Sequence, residues 1–436
     1  MPLLTDILHE ITEVSIGCTE PAAIALATTI AREAIGGVAR QVSVTLDPNT
    51  FKNALAVTIP NTAGKTSMQL AAALGALCGN SKLGLEIFKD VTLDNTTVAE
   101  QMVKLGKIRI AIQRDQPPIF IDAAVKTSAG QGRAIIKGSH TSVAFVEANG
   151  KVKIGNETVA TETKKELISA ACRKLLAMKI SDIVYLTASL SPNDKQFLLD
   201  GVEMNLTIVR DGLAKRSGLA VGANLQDMVN DGTISDDVIN ETKILVAGGV
   251  DARMSGSSLP VMTNSGSGNQ GIASTLPIVV IAKRMKSEKG QIARALAISH
   301  LLAAYTKLKI GELSTLCGSA IASAIGASAG ILWLTDQREE RIEQVVKNIV
   351  GNIPGILCDG AHSVCALKLA TASGVAVETA FLVSRGTDIG ARTGIIADLA
   401  SETFTNLALI SKSLKETELA ILDIMTKSDF QSKGSD

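Results

Sequence analysis

The chain has 436 residues, and its 43 Lys and Arg balance 43 Asp and Glu, so no net field draws it to nucleic acid or to an anionic membrane. Apolar residues make up 46% and charged residues 20%, which excludes a largely disordered protein and leaves core enough for two or three domains. Aromatics at 3% give no stacking platform for single strands, and six cysteines are too few for a disulfide scaffold.

The opening MPLLTDILHE carries Asp6, His9 and Glu10 and has neither a basic stretch nor a long apolar one. That predicts no secretory leader and a cytoplasmic, reducing location. Leu3 to Ile11 and Ala22 to Ile35 read as helices; Pro21 suits the first turn of the second, where its missing N–H costs nothing. Val42, Val44 and Leu46 alternate with polar residues as a half-buried strand, and Leu55, Val57 and Ile59 repeat the pattern. A helix from Thr66 to Leu77 follows, then strands at Ile108–Ile112 and Ile119–Val125. Val143–Phe145 and Val152–Ile154 flank Asn149-Gly150, the strongest short hairpin signal. Helices at Lys164–Leu176 and Pro192–Leu199 close this half.

Beyond residue 212 the helical period takes over. Ile342, Val345, Val346 and Ile349 form one apolar face, and Ala-rich helices are predicted at Gln291–Tyr305, Cys317–Leu334 and Thr393–Leu409. The last ten residues, KSDFQSKGSD, read as a frayed tail. The expected fold class is therefore α+β, with a mixed α/β domain at 1–212 and an all-α domain at 213–436. Gly318 to Thr335 lacks any charge over 18 residues, but 11 of the 13 residues to Gly330 are Gly, Ala or Ser. That composition predicts a buried helix of close-packed neighbours rather than a membrane span.

Cys18 stands in SIGCTEP just ahead of a helix, with Thr19 as its expected cap. A thiol at a helix start meets free N–H groups that favour thiolate, so it reads as a reactive or metal-binding group, or else as a small apolar residue at a helix entry. Cys317 opens the small-residue helix. Cys358 and Cys365 share LCDGAHSVC, with Asp359 placed to cap a helix carrying Cys365. Thiolates on glycine-rich helix starts suit an iron–sulfur cluster, although C-x6-C matches no ferredoxin or zinc spacing; buried structural cysteines are the alternative. Cys78 and Cys172 read as core. The run from Met254 to Ala282 joins a Gly/Ser loop to an apolar helix from Gly271, a source of N–H donors for a carboxylate or phosphate. NTAGKTS at 61–67 lacks the first glycine of a phosphate loop, so nucleotide binding is rejected there. His140 and His362 are the polar histidine candidates.

GCTEP at 17–21, DPNTFKN at 47–53, GSHT at 138–141, GSGNQGI at 266–272 and LCDGAHSVC at 357–365 resemble bacterial and archaeal L-cysteine desulfidases, a family related to the iron–sulfur L-serine dehydratases. The resemblance covers nearly the whole chain in order. It implies an oxygen-sensitive [4Fe–4S] enzyme that turns L-cysteine into pyruvate, ammonia and sulfide. By position it implies Cys317, Cys358 and Cys365 as cluster ligands and Cys18 as proton acceptor or fourth ligand. Ser267, Asn269 and Gln270 then become donors to the substrate carboxylate, and Glu20, Lys52, Asn53 and His140 become groups for its amine or leaving group. L-Serine is the alternative substrate. A pyridoxal-phosphate lyase, with Lys65 offered as its Schiff-base lysine, and a non-catalytic cluster sensor are the alternative functions. The expected partner is a small amino acid, with no nucleic acid or membrane, and the expected assembly is a homodimer.

Overall fold

The computed structural model describes residues 3–155, 168–311, 314–390 and 392–432. Six strands form one sheet: β2 (Ala39–Leu46), β3 (Ile108–Ile112), β4 (Phe120–Thr127), β5 (Gly130–Lys137), β6 (Val143–Ala148) and β7 (Lys151–Ile154). Their order is β3-β2-β4-β5-β6-β7, with β2 and β3 parallel and every other pairing antiparallel. Ala148 faces Lys151, and Asn149 and Gly150 both take positive φ, the two-residue turn the sequence predicts. The inward residues Val42, Val44, Ile121, Ala123, Val125, Ala134 and Ile136 pack against helix α2 (Thr19–Ile35), which α3 (Pro48–Ala54), α4 (Met68–Cys78) and α5 (Leu93–Lys104) flank.

A separate short ladder pairs β1 (Val14–Ile16) with β8 (Pro260–Met262), so the segment ahead of Cys18 is stitched to a loop some 245 residues later. The helical half comprises α6 (Ala170–Ala177), α7 (Ile180–Leu186), α8 (Pro192–Lys215), α9 (Val221–Asn230), α10 (Val238–Met254), α11 (Gly268–Met285), α12 (Lys289–Ile310), α13 (Gly318–Asp336), α14 (Ile342–Asn352), α15 (Cys365–Ser384), α16 (Ala400–Ser413) and α17 (Lys415–Ser432). Its core also takes in α1 (Leu3–Ile11). The fold is thus mixed, sheet first and helices after, as its sequence pattern predicts.

Small residues decide how the bundle closes. A Cβ on Gly326 would stand 2.3 Å from the carbonyl of Ser299, and one on Gly330 would stand 2.6 Å from that of Ala295. Only glycine lets α13 lie this close to α12, which is the reason for the Gly/Ala/Ser run. Helices α13 and α15 are long and apolar enough to cross a membrane, but 83% and 61% of their apolar windows are buried inside the bundle.

Several elements differ from expectation. Asp47 caps α3 with hydrogen bonds to the N–H groups of Asn49 and Thr50, so Leu55 ends a helix and only Thr58 bridges to Thr66; no strand runs over 55–59. Helix α8 continues past Leu199 to Lys215 and so runs through residue 212. The helix expected from Thr393 starts at Ala400, because Arg392 and Gly394 at positive φ turn the chain there. Strong helix formers from Lys415 onward carry α17 to Ser432 where a frayed tail was expected. Of the helix expected at 164–176, residues 164–167 lie outside the described residues, and the rest appears as α6.

Candidate active site

Cys18 is the cap position of α2, Ser267 that of α11 and Cys317 that of α13, while Cys365 is the first residue of α15. All four line one cavity of about 80 Å³, enough for a few water-sized groups. Four helix starts therefore turn their positive ends toward one small space, a field that favours anions. Thr19 does not cap α2 with its side chain, and Asp359 does not cap α15.

Backbone pairing holds the thiols together. Leu316 and Leu357 form an antiparallel bridge; the N–H of Cys317 donates to the carbonyl of Ile356, and that of Cys358 to the carbonyl of Thr315, both at 2.7 Å. Cys365 then enters from the first turn of α15. Among the described residues its sulfur makes only a long contact, 3.7 Å, to the carbonyl of Gly360. Burial pushes the Cys317 thiol up to about 12, and the neighbouring Cys358 and Cys365 add to the effect. Burial likewise raises Cys365. Lys368 donates to the carbonyl of Leu357 and to Asp359, which also meets His362 Nε2 at 3.0 Å.

The opposite wall is a hydrogen-bonded carboxylate. Glu20 Oε2 accepts from Cys18 Sγ and Thr19 Oγ1, both at 3.1 Å, and Oε1 accepts from Asn53 Nδ2 at 3.0 Å. His140 Nε2 lies 3.7 Å from Oε1. Burial alone would raise Glu20, yet His140 and the Cys18 thiol outweigh it and hold the carboxyl well below its usual range. Cys18 moves the other way from the sequence expectation. Burial first, and then the Glu20 carboxylate, push its thiol well above the ordinary value, so the helix start does not lower it. The glycines of the 266–272 loop make room here: a Cβ on Gly266, which has φ +71°, would meet His140 Nδ1 at 2.5 Å.

Of the residues expected at a site, Cys18, Glu20, Asn53, His140, Ser267, Asn269, Cys317, Cys358 and Cys365 line the cavity. Lys52 and Gln270 do not. Lys52 lies behind the wall, donating to the carbonyl of Cys358 at 3.2 Å and pairing with Glu418 at 3.5 Å. Gln270 turns into the loop, where its amide donates to Asn264 Oδ1 at 2.6 Å. Lys65, the Schiff-base candidate, is half exposed and paired with Glu100 at 3.0 Å, away from the cavity. The structure adds Arg253, Lys307, Ser319 and Lys368 to the lining. It also adds, one layer back, the buried His300, whose Nδ1 meets Asn264 Nδ2 at 3.0 Å.

The residues present fit an iron–sulfur cluster. Three free thiols share one wall, backed by helix N-termini that suit a polyanionic group. Among the described residues no three His, Cys, Asp or Glu side chains stand close enough to hold one metal ion.

The profile of a family described as serine dehydratase alpha chain matches residues 82–423. Curated relatives include a UPF0597 protein of Alkaliphilus oremlandii, 36% identical over 411 residues and covering 94% of each chain. A UPF0597 protein of Alkaliphilus metalliredigens is 37% identical over 418 residues, 95% of this chain and 92% of its own. One from Oleidesulfovibrio alaskensis is 35% identical over 422 residues, 96% of each.

Proposed function

Since the chain belongs to the serine dehydratase alpha chain family, we propose that it is an iron–sulfur lyase that eliminates the β-substituent of a small amino acid. We propose L-cysteine as the substrate, with pyruvate, ammonia and hydrogen sulfide as products. The observation that carries this reading is one cavity with three thiols on one wall and Cys18, Glu20 and His140 on the other.

Cys317, Cys358 and Cys365 would hold a [4Fe–4S] cluster, which would supply Lewis acidity. Everything else falls to the chain. Cys18 is the group to take the Cα proton, which requires its sulfur as thiolate. Its thiol donates to Glu20 Oε2 at 3.1 Å, a hydrogen bond that orients the sulfur. His140, beside the other carboxylate oxygen, is placed to return a proton to the departing sulfide. Asn53 and Thr19 hold Glu20 in position by their hydrogen bonds. Lys52 bears on the same reading from behind, by gripping the carbonyl of Cys358. The aminoacrylate released hydrolyses in water without help.

All six cysteines are free thiols, which supports a reducing, cytoplasmic location. L-Serine is the second reading, favoured by the family's description. The test is sulfide release from L-cysteine by protein purified and cluster-loaded without oxygen, with pyruvate from L-serine measured in parallel. Sulfide release that disappears in air supports the proposal. Pyruvate from serine alone transfers it to the dehydratase, and no product from either, with the cluster intact, rejects both.

A further inference from the structure

Arg253 is the penultimate residue of helix α10 and is 2% exposed, yet among the described residues its side chain has one hydrogen-bond partner. Its Nη1 donates to Asn269 Oδ1 at 3.0 Å, while buried Nε and Nη2 have no acceptor among the described residues. No carboxylate pairs with it among the described residues. A guanidinium keeps its charge at any pH the fold survives, so an unmatched one in the interior is costly unless an anion arrives to meet it. The side chain lines the same cavity as Cys18 and the three thiols.

The other two cations of that wall are engaged: Lys307 with the carbonyl of Ser265 and Lys368 with Asp359. Gly268 is what admits Arg253. A Cβ there would stand 2.3 Å from Nε, so this glycine is required by the arginine and not by its own backbone. Asn269 is spent on orienting the fork, since its Oδ1 takes Nη1.

We propose that Arg253 is the seat of the substrate's α-carboxylate, with Asn269 as its positioning residue. This rests on the amino-acid lyase reading and deepens it. The carboxylate carbon is bonded to Cα, so anchoring it on Arg253 fixes Cα beside the sulfur that takes its proton. Arg253 is near enough to Cys18 for its charge to act on that thiol. The planar fork pairs with both oxygens of a carboxylate, which makes the carboxylate part of what the enzyme selects.

The test measures calorimetric binding of L-alanine and of L-alaninamide to the cluster-loaded protein. Alanine has nothing to eliminate, and its amide has lost the negative charge. The wild type is expected to prefer alanine by about 100-fold. In Arg253→Gln the two ligands should bind within about 3-fold of each other, and in Arg253→Lys the preference should shrink to about 10-fold. A folded Arg253→Gln protein with normal cluster absorbance and the wild-type preference overturns the proposal. If the glutamine variant does not fold, an undiminished preference in the lysine variant overturns it just as well. If the wild type binds neither ligand, the anion is not an amino-acid carboxylate and the proposal falls. Binding without turnover leaves it standing and removes only the lyase reading.

Discussion

On one side of the cavity Glu20 takes hydrogen bonds from Cys18, Thr19 and Asn53, and its charge is settled by His140. On the other, the sulfurs of Cys317 and Cys365 are buried and pushed toward the protonated thiol, with almost no partners of their own. The Glu20 carboxylate of the first wall is held by several donors, although Asn53 Oδ1 and His140 Nε2 beside it have no hydrogen-bond partner among the described residues; the sulfurs of the second are held by almost none. On the proposed reading the first is a preorganised device for moving a proton. The second, built of soft donors, is on that reading the receptor of a cluster. The difference separates two jobs that composition alone would merge under "cysteines".

The largest effect should come from breaking the receptor. Cys317→Ala or Cys358→Ala is expected to leave the fold intact by circular dichroism and to abolish bound iron, the visible absorbance and all turnover. Retention of full iron by both variants would move the ligand set elsewhere. Next is the device. Cys18→Ala should keep the iron and absorbance of the wild type while turnover drops by about 10³-fold. Loss of the absorbance in that variant would instead make Cys18 a cluster ligand and erase the contrast between the walls.

Glu20→Gln sharpens the comparison by direction. Burial and then the Glu20 carboxylate raise the Cys18 thiol, so the thiolate forms only toward alkaline pH and kcat/KM should climb as pH rises. Removing the carboxylate removes one of the raising causes. The rising limb is therefore expected at lower pH in the variant, with the maximum rate down about 100-fold for want of the carboxylate that orients the sulfur. A limb that stays put would show that Glu20 does not govern Cys18.

These two walls were unequally legible. The three thiols were named only through the family resemblance, since C-x6-C matches no known cluster spacing and a buried cysteine at a helix start reads equally well as core. The device was only half readable: Cys18, Glu20 and His140 were named, but the sign of the Cys18 shift was reversed. Dipole arguments apply to a thiol still partly in water, and here burial and a carboxylate two residues on override the helix start. Arg253 was invisible, since a single arginine at a helix end sets no pattern; its one trace is Gly268, fifteen residues later in a stretch already rich in glycine. The same logic holds for the fold. Helix α14 shows one apolar face and was found from Ile342, Val345, Val346 and Ile349. Helix α10 is buried from Val246 to Met254 on every side, so no period marks it. The alternation at 55–59 came from Val57 and Ile59 facing the core across a single bridge, which mimics a strand without being one.

The smallest effect expected lies behind the first wall. His300 is buried, and burial lowers it to about 4 from 6.5. Asn264 explains why protonation is resisted. Its Oδ1 accepts from Gln270 Nε2 and Ser265 Oγ, which fixes the amide so that Nδ2 donates to His300 Nδ1. A proton on Nδ1 would therefore face another donor. Nε2 keeps the hydrogen and points at Thr275 Oγ1, 3.3 Å away. The unfolded chain takes up a proton near pH 6.5 while the folded one does not. Stability is thus complete above pH 6.5 and lost as pH falls toward 4, by about 2 kcal/mol at pH 5. Urea unfolding at pH 7.5 and pH 5.0, for the wild type and His300→Gln, measures this. The variant starts weaker because both hydrogen bonds change, but it should lose about 2 kcal/mol less than the wild type between the two pH values. Equal losses would mean that the loop behind Ser267 yields to a charged His300, and that the order of this wall ends at its first layer.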